Sequence, residues 1–292
     1  MNALQDSLLE LIRRTSAEIP DDVQSALLNA LHQEKAGTIA ESAMKIVERN
    51  IELAKAKSQP ICQDTGSILF YVDCPMGCDE IGFEEQAKDA VRLATKKGYL
   101  RQNSVDSLTG MNDGTNVGRG SPTIHFHQHR APEIRVRLIL KGGGCENVGA
   151  QYSLPNEKLK ANRDLDGCRK VILDGVLQAQ GKGCSPGILG VCIGGDRATS
   201  YEFSKQQFLR KLPDRNDVPE LDRLEQDILS TANALGIGPM GFGGKTTLLG
   251  VKIGVANRLP ASYFVSVSYM CWAFRRHGVE LNNHGEIQQW LY

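Results

Sequence analysis

The sequence predicts a mixed α+β protein in which an N-terminal helical region precedes a β domain flanked by helices. Two hydrophobic periods carry this prediction. Residues 1–57 repeat apolar side chains at helical spacing, whereas "TIHFHQH" and "IRVRLIL" alternate apolar and polar residues as half-buried strands do. Glycine clusters follow several predicted elements, and ligand sites are often built where regular structure ends.

The elements are expected to follow one another along a single domain, residues 1–292. Within 1–57, one helix begins after "PDD" and the next ends before Pro60. A strand-like apolar run follows the turn "QDTG". Further along, the patterns predict helices over 84–97, 164–180 and 218–235, strands at 123–129, 134–140 and "ILGVCI", and a last strand, "SYFVSVSYM", that ends at Cys271.

Charge and hydropathy exclude two classes of partner. Lysine and arginine number 34, aspartate and glutamate also 34, and no long basic run exists, so nucleic acid and anionic membranes have no electrostatic support. No apolar stretch is long enough to span a bilayer, and the start does not read as a secretory signal. We therefore expect a cytoplasmic protein whose eight cysteines are reduced.

Three motifs invite interpretations that the residues support weakly. "GFGGKTT" resembles a phosphate loop, but the glycine it requires six residues before Lys245 is replaced by proline, so a turn with close backbone approach is favoured. The alternating His125, His127 and His129 could bind zinc, although a solvent-facing or interface strand face is favoured. Cys74 and Cys78 could supply half of a zinc site, but no second such pair occurs.

Three other cysteines stand where the chain leaves regular structure. Cys62 follows a helix end and a proline, Cys184 lies in "GKGCSPG", and Cys271 ends a strand. Three separate thiolates suit an iron–sulfur cluster in which one iron has no protein ligand and can act as a Lewis acid. The alternative is that they are ordinary small buried residues.

Several motifs in matching order resemble the iron–sulfur (class I) fumarate hydratases, and the related L-tartrate dehydratase alpha subunit shares the layout. They are "PICQDTG", "KGGGCEN", "GKGCSPGILGVCIGGDRAT", "GIGPMGFGGKTTLLGVKI" and "RLPASYFVSVSYMCWAFRR". The resemblance covers about residues 20–280. It implies reversible hydration of fumarate to L-malate, a step of the tricarboxylic acid cycle, with a [4Fe-4S] cluster held by Cys62, Cys184 and Cys271.

The resemblance also implies roles for residues around the cluster. Asp64 is expected to be catalytic. The expected substrate-binding residues are Gln63, Arg101, Gly142, Gly143, Gly144 and Lys245. An arginine suits a substrate carboxylate because its planar fork can donate two parallel hydrogen bonds. Glycine N–H groups can approach a carboxylate because no side chain intervenes.

The family further implies a partner. Its members carry a second, C-terminal unit with more substrate-binding residues and the base, so this chain resembles the alpha half, which needs a beta subunit or C-terminal domain for full activity. Dimerisation through this half is also expected. Some members have histidine where this chain has Leu259, which leaves tartrate or a methylated diacid open as substrate. A rival of another class is a non-catalytic binding or assembly module with structural cysteines.

Overall fold

The computed structural model describes residues 3–292, which fall into two compact units. Residues 3–21, 49–143 and 273–292 form unit 1; residues 22–48 and 144–272 form unit 2. Each unit has its own sheet and its own apolar core. Both units combine distant stretches of chain, so local sequence patterns carry no sign of this division.

The helices and strands are numbered in chain order. The helices are α1 (Ala3–Ala17), α2 (Asp21–Gln33), α3 (Ile39–Lys57), α4 (Glu80–Lys96), α5 (Gly143–Asn147), α6 (Leu165–Ala179), α7 (Arg197–Gln206) and α8 (Pro219–Ala234). The strands are β1 (Ser67–Pro75), β2 (Thr123–His129), β3 (Ile134–Lys141), β4 (Ala150–Ser153), β5 (Gly187–Gly194), β6 (Leu248–Ala256), β7 (Phe264–Met270), β8 (Arg275–Leu281) and β9 (Ile287–Trp290).

Unit 1 is built on a five-stranded sheet in the order β2-β1-β3-β8-β9, in which only β1 and β2 run parallel. Helices α1 and α4 share its core, where Leu11, Phe70, Val91 and Val136 are fully buried. Because neighbouring strand residues point to opposite faces, Tyr71 and other polar side chains lie on the opposite face from Phe70.

Unit 2 holds a four-stranded sheet in the order β4-β7-β5-β6, with β5 parallel to β6 and antiparallel to β7. Helices α6 and α8 share its apolar core with alternate residues of β5, including Leu189 and Val191. Helix α7 packs against β5 and β7, where the hydroxyls of Ser200 and Ser266 lie 2.7 Å apart. A Cβ atom at Gly190 would overlap the α7 backbone, so glycine permits this close packing.

The mixed α+β prediction is confirmed, as are the N-terminal helices and the strands around "TIHFHQH" and "IRVRLIL". Helix α4 begins at Glu80, earlier than predicted, because the Asp79 carboxylate accepts the N–H of Gly82 and caps it. The patterns missed the elements α5, α7, β4, β6, β8 and β9. None of the described helices combines the length and the apolar character needed to cross a bilayer.

Candidate functional site

The "QDTG" turn in unit 1 requires its glycine. Gly66 has φ of 81°, and a Cβ atom there would overlap the backbone carbonyl of Lys141. The turn therefore lies directly against the end of β3, where the glycine cluster begins. Gln63 on this turn is exposed, whereas Cys62 and Asp64 are half-buried.

Asp64 contacts the glycine cluster across 79 positions of sequence. Its Oδ2 accepts a hydrogen bond of 2.6 Å from the N–H of Gly143, the first residue of α5. A Cβ atom at Gly142 would lie 3.1 Å from the same oxygen. The structure thus brings together three of the residues expected from sequence, and the Gly143 N–H, expected to face a substrate carboxylate, meets the protein's own carboxylate here.

Arg275 is a neighbour of Asp64 that sequence reasoning missed. Its side chain is 1% exposed, and its Nη1 donates a hydrogen bond of 2.5 Å to the backbone carbonyl of Asp64. Its Nη2 would lie 3.5 Å from a Cβ atom at Gly142. The available signal was the charged pair "RR" following Cys271, because arginine is seldom fully buried without a specific partner.

Arg101 is joined to the "QDTG" turn through Thr65. The Thr65 hydroxyl accepts the N–H of Arg101 at 3.3 Å and donates to Asn103 Oδ1 at 2.7 Å. Asn116, which is 3% exposed, donates to the carbonyl of Arg101 at 2.6 Å. These bonds fix the backbone of Arg101, while the residue stays exposed. A positive charge that is held in place and open to solvent is suited to binding an anionic ligand.

In unit 2, Cys184 and Cys271 are neighbours. The N–H of Trp272 donates to the carbonyl of Cys184 at 3.2 Å. Cys184 has a left-handed backbone, with φ of 56° and ψ of 61°, and is exposed; Cys271 is buried, and neither forms a disulfide. Thiols are soft donors, so this donor set fits iron in a sulfur-rich site.

A third thiol, that of Cys145, lies in the same part of unit 2. Burial raises the pKa of Tyr269, and the negative charges of Cys271, Cys145 and Cys184 raise it further. Its ring also lies against Gly183 and Gly187, where a Cβ atom would overlap it. Cys145 was not among the predicted ligands, and in the sequence it stands out only as part of the motif "KGGGCEN".

The glycine-rich loop of unit 2 is held by a buried carboxylate. Glu34, 8% exposed, accepts the N–H groups of Lys245 and Thr246 at 3.0 Å. The side chain of Lys245 is exposed. The loop leads into a strand, β6, whereas a phosphate loop leads into a helix, so the phosphate-loop interpretation is wrong.

The histidine stripe does not form a metal site in residues 3–292. His125 stacks on Tyr71 with ring centroids 4.9 Å apart, and the side chain of His127 is 78% exposed beside Asp73. Within the described residues, the side chains close enough together to hold a metal ion are those of Cys74, Cys78 and Glu80, and no histidine is among them. Alternation placed the three rings on one face but did not make their nitrogens converge.

The expectation that all eight cysteines are reduced is wrong for one pair. The sulfur atoms of Cys74 and Cys78 are bonded, because the turn after β1 brings their Cα atoms within 6.3 Å. The buried cysteines Cys168 and Cys192 are ordinary core residues, and burial raises the pKa of both thiols. In the case of Cys168 it reaches about 11.

Comparison with known proteins identifies the family of this chain. The family model for fumarate hydratase (fumerase) matches residues 5–280. The chain is 52% identical over 296 residues to the protein named "Putative fumarate hydratase class I" of Geobacillus stearothermophilus. The chain belongs to the fumarate hydratase family. Class I members are metal-dependent, in keeping with the thiols of unit 2.

The chain is also similar to proteins that are named as subunits of a different enzyme, L(+)-tartrate dehydratase. The chain is 33% identical over 278 residues to the "Putative L(+)-tartrate dehydratase subunit alpha" of Methanocaldococcus jannaschii, and 29% identical over 279 residues to the L(+)-tartrate dehydratase subunit alpha of Escherichia coli K12. These matches cover 94% of this chain and 95% and 90% of the two relatives. By contrast, the chain spans 58% of the length of the Geobacillus fumarate hydratase relative.

Proposed function

We propose that this chain is the alpha part of a hydro-lyase that reversibly hydrates fumarate to L-malate. The observation that carries the proposal is the arrangement around Asp64 in a chain of the fumarate hydratase family. Its carboxylate is fixed by the N–H of Gly143, and its turn is bonded to the loop of Arg101. A fixed carboxylate on a turn that is bonded to the backbone of an exposed arginine suits a reaction on a dicarboxylate.

We propose that Cys62, Cys184 and Cys271 hold a [4Fe-4S] cluster. Support comes from the order of their motifs in this family and from the hydrogen bond that makes Cys184 and the Cys271 segment neighbours. When bound, such a cluster supplies an iron with an open position that polarises a hydroxyl or carboxylate oxygen.

Different side chains of this chain would then bind the substrate and contact the hydroxyl that is transferred. Arg101 binds one substrate carboxylate, with Gln63 and the glycines 142–144 beside the substrate. Lys245 adds positive potential for a dianion. Asp64 bonds the hydroxyl that is added or removed, since its turn also carries Cys62 and therefore lies close to the proposed cluster.

The base that removes the carbon-bound proton of malate is proposed to come from a partner, either a beta subunit or a C-terminal domain. In Escherichia coli K12 the related chain is named as the alpha subunit of its enzyme, which supports a partner of this kind. We further propose a homodimer of the alpha part, a cytoplasmic location, and a role in the tricarboxylic acid cycle.

Tartrate is the second candidate substrate. Two relatives at 33% and 29% identity carry the name of L(+)-tartrate dehydratase, whereas the relative at 52% carries that of fumarate hydratase. The higher identity favours fumarate. Leu259, which stands where some family members have histidine, is 74% exposed, and its identity leaves tartrate and a methylated diacid as substrates to be assayed.

The cluster is tested by anaerobic reconstitution of the chain, followed by iron and sulfide analysis and visible absorbance. Serine variants of Cys62, Cys184 and Cys271 should lose iron, because a hydroxyl is a poor substitute for a soft thiolate. Cys145→Ser and Cys192→Ser are the matched controls and should keep it. Iron lost from Cys145→Ser but kept by Cys62→Ser would overturn the ligand assignment.

The reaction is tested by combining the chain, after its cluster has been reconstituted, with a C-terminal fumarate hydratase unit. The assembled enzyme is then assayed with malate, with tartrate and with a methylated diacid as substrates. Fumarate formation from malate should be fastest. Faster turnover of tartrate would favour the second candidate. A colourless chain without iron that stays inactive in the assembly would favour the non-catalytic module. High malate dehydration by the chain alone would show that the base lies within it.

A further inference from the structure

The disulfide of unit 1 joins a strand end to a helix start. Cys74 is the penultimate residue of β1, and Cys78 immediately precedes Asp79, which caps α4. Between them the chain turns with a hydrogen bond of 3.1 Å from the Cys78 N–H to the carbonyl of Pro75. The Cα separation of 6.3 Å falls within the range that disulfides adopt.

The two sulfurs differ in their access to solvent. Cys74 is 2% exposed and packs in the core of unit 1. Cys78 is half-buried, and the turn residues Met76 and Gly77 beside it are exposed. A reagent in solution therefore meets Cys78 first, while Cys74 is placed to attack a modified Cys78 from inside.

A carboxylate stands beside both sulfurs. Ligand atoms of Cys74, Cys78 and Glu80 lie within 4.8 Å of one another, and Glu80 Oε1 accepts a hydrogen bond of 2.8 Å from Gln128. Its negative charge disfavours a neighbouring thiolate but has no such effect on an uncharged disulfide. The carboxylate therefore slows the attack of the reduced pair on other reagents, because the thiolate is the attacking form.

A purely stabilising role explains the pair poorly. A disulfide constrains the unfolded chain less as the loop that it closes becomes shorter, and this one spans a sequence separation of four. The pair also lies at the opposite end of β1 from the "QDTG" turn. With nine residues in β1 and about 3.3 Å per residue, it is roughly 25 Å from that turn.

We propose that Cys74 and Cys78 form a reversible thiol–disulfide site, independent of the proposed catalytic residues, that exchanges with small-molecule disulfides of the glutathione type. The Cys78 thiolate attacks one sulfur of the small disulfide, forming a mixed disulfide and releasing one small thiolate. Cys74 then attacks the Cys78 sulfur and releases the second. Two protein thiols are thereby oxidised, one small disulfide is reduced to two thiols, and the reverse exchange restores the reduced pair.

The test uses the full chain equilibrated anaerobically in glutathione buffers of varied ratio, then quenched, alkylated and analysed by mass spectrometry. The peptide carrying both residues should lose its two labels together. The exchange transfers two electrons and releases two molecules of reduced glutathione. The change from one-tenth to nine-tenths oxidised should therefore span about a hundredfold range of the concentration of oxidised glutathione divided by the squared concentration of reduced glutathione. Cys168 and Cys192 should stay unchanged throughout.

Three outcomes would overturn the proposal: a pair that stays reduced in oxidised glutathione, a pair that resists reduction in the folded chain, and a reduced pair that binds one zinc ion and no longer oxidises.

Cys74→Ser should retain a mixed disulfide on Cys78, whereas Cys78→Ser should retain none on Cys74. Glu80→Gln should speed alkylation of Cys78 about threefold to tenfold. An unchanged rate of alkylation would contradict the inference that the Glu80 carboxylate disfavours the Cys78 thiolate.

Discussion

Replacing Arg275 by lysine tests whether this buried residue positions Asp64. The substitution keeps the positive charge but removes the planar fork whose Nη1 donates to the Asp64 carbonyl at 2.5 Å. A hydrogen bond from a charged donor contributes about 1.5–3 kcal/mol, so the free energy of unfolding should fall by that amount. Asp64 would also lose one constraint on its turn, and its contact with Gly143 would loosen.

The effect on the proposed reaction should exceed the effect on substrate binding. A displacement of about 1 Å at a catalytic group can lower turnover about a hundredfold, so kcat per bound iron should fall ten- to a hundredfold. KM for malate should change less, because Arg275 contacts the Asp64 backbone and not the proposed carboxylate-binding Arg101. The assay is malate dehydration by the assembled enzyme, normalised to iron content, with urea unfolding of the same preparations.

Arg276→Lys is the matched control. Arg276 is equally buried, but it points to the other face of β8, and its guanidinium lies over the ring of Tyr292 at 4.2 Å. It should lose stability without the same loss of turnover. If Arg275→Lys unfolds at lower urea yet keeps wild-type turnover, or if both variants lose turnover equally, the positioning role is refuted.

Four further outcomes are expected. Glu34→Gln should lower the free energy of unfolding by about 2–4 kcal/mol in urea, because a buried charged acceptor of two N–H groups is lost. The thiol of Cys168 ionises near pH 9 when unfolded and near 11 when folded, so its contribution to stability is complete below pH 9 and declines above it; wild type should lose about 2 kcal/mol relative to Cys168→Ala between pH 9 and 11. In the assembled enzyme, Arg101→Ala should weaken substrate binding by about 2–5 kcal/mol, whereas Asp64→Asn should chiefly lower kcat. Activity should fall in air and return with ferrous iron and a reductant; indifference to air and chelators would argue against an open cluster iron.

The sequence by itself determined the kinds of element and many of their ends. Period-two alternation identified β2 and β3, and helical spacing identified α6 and α8, because these signals are local. Motif order also determined the family, which the match over residues 5–280 confirms. A strand such as β8, "RRHGVEL", escaped because its buried arginines and histidine break the apolar pattern that marks a buried strand.

The tertiary structure alone decided which distant groups meet. Asp64 and Gly143 are 79 positions apart, and Arg275 reaches Asp64 across 211, so nothing local in the sequence could pair them. Glu34 and Lys245 are likewise joined across 211 positions. The reason is physical: such contacts are fixed by how sheets and helices pack, whereas periodicity reports only which face of an element is apolar. The motifs predicted the positions of the candidate site residues but not the groups that contact them.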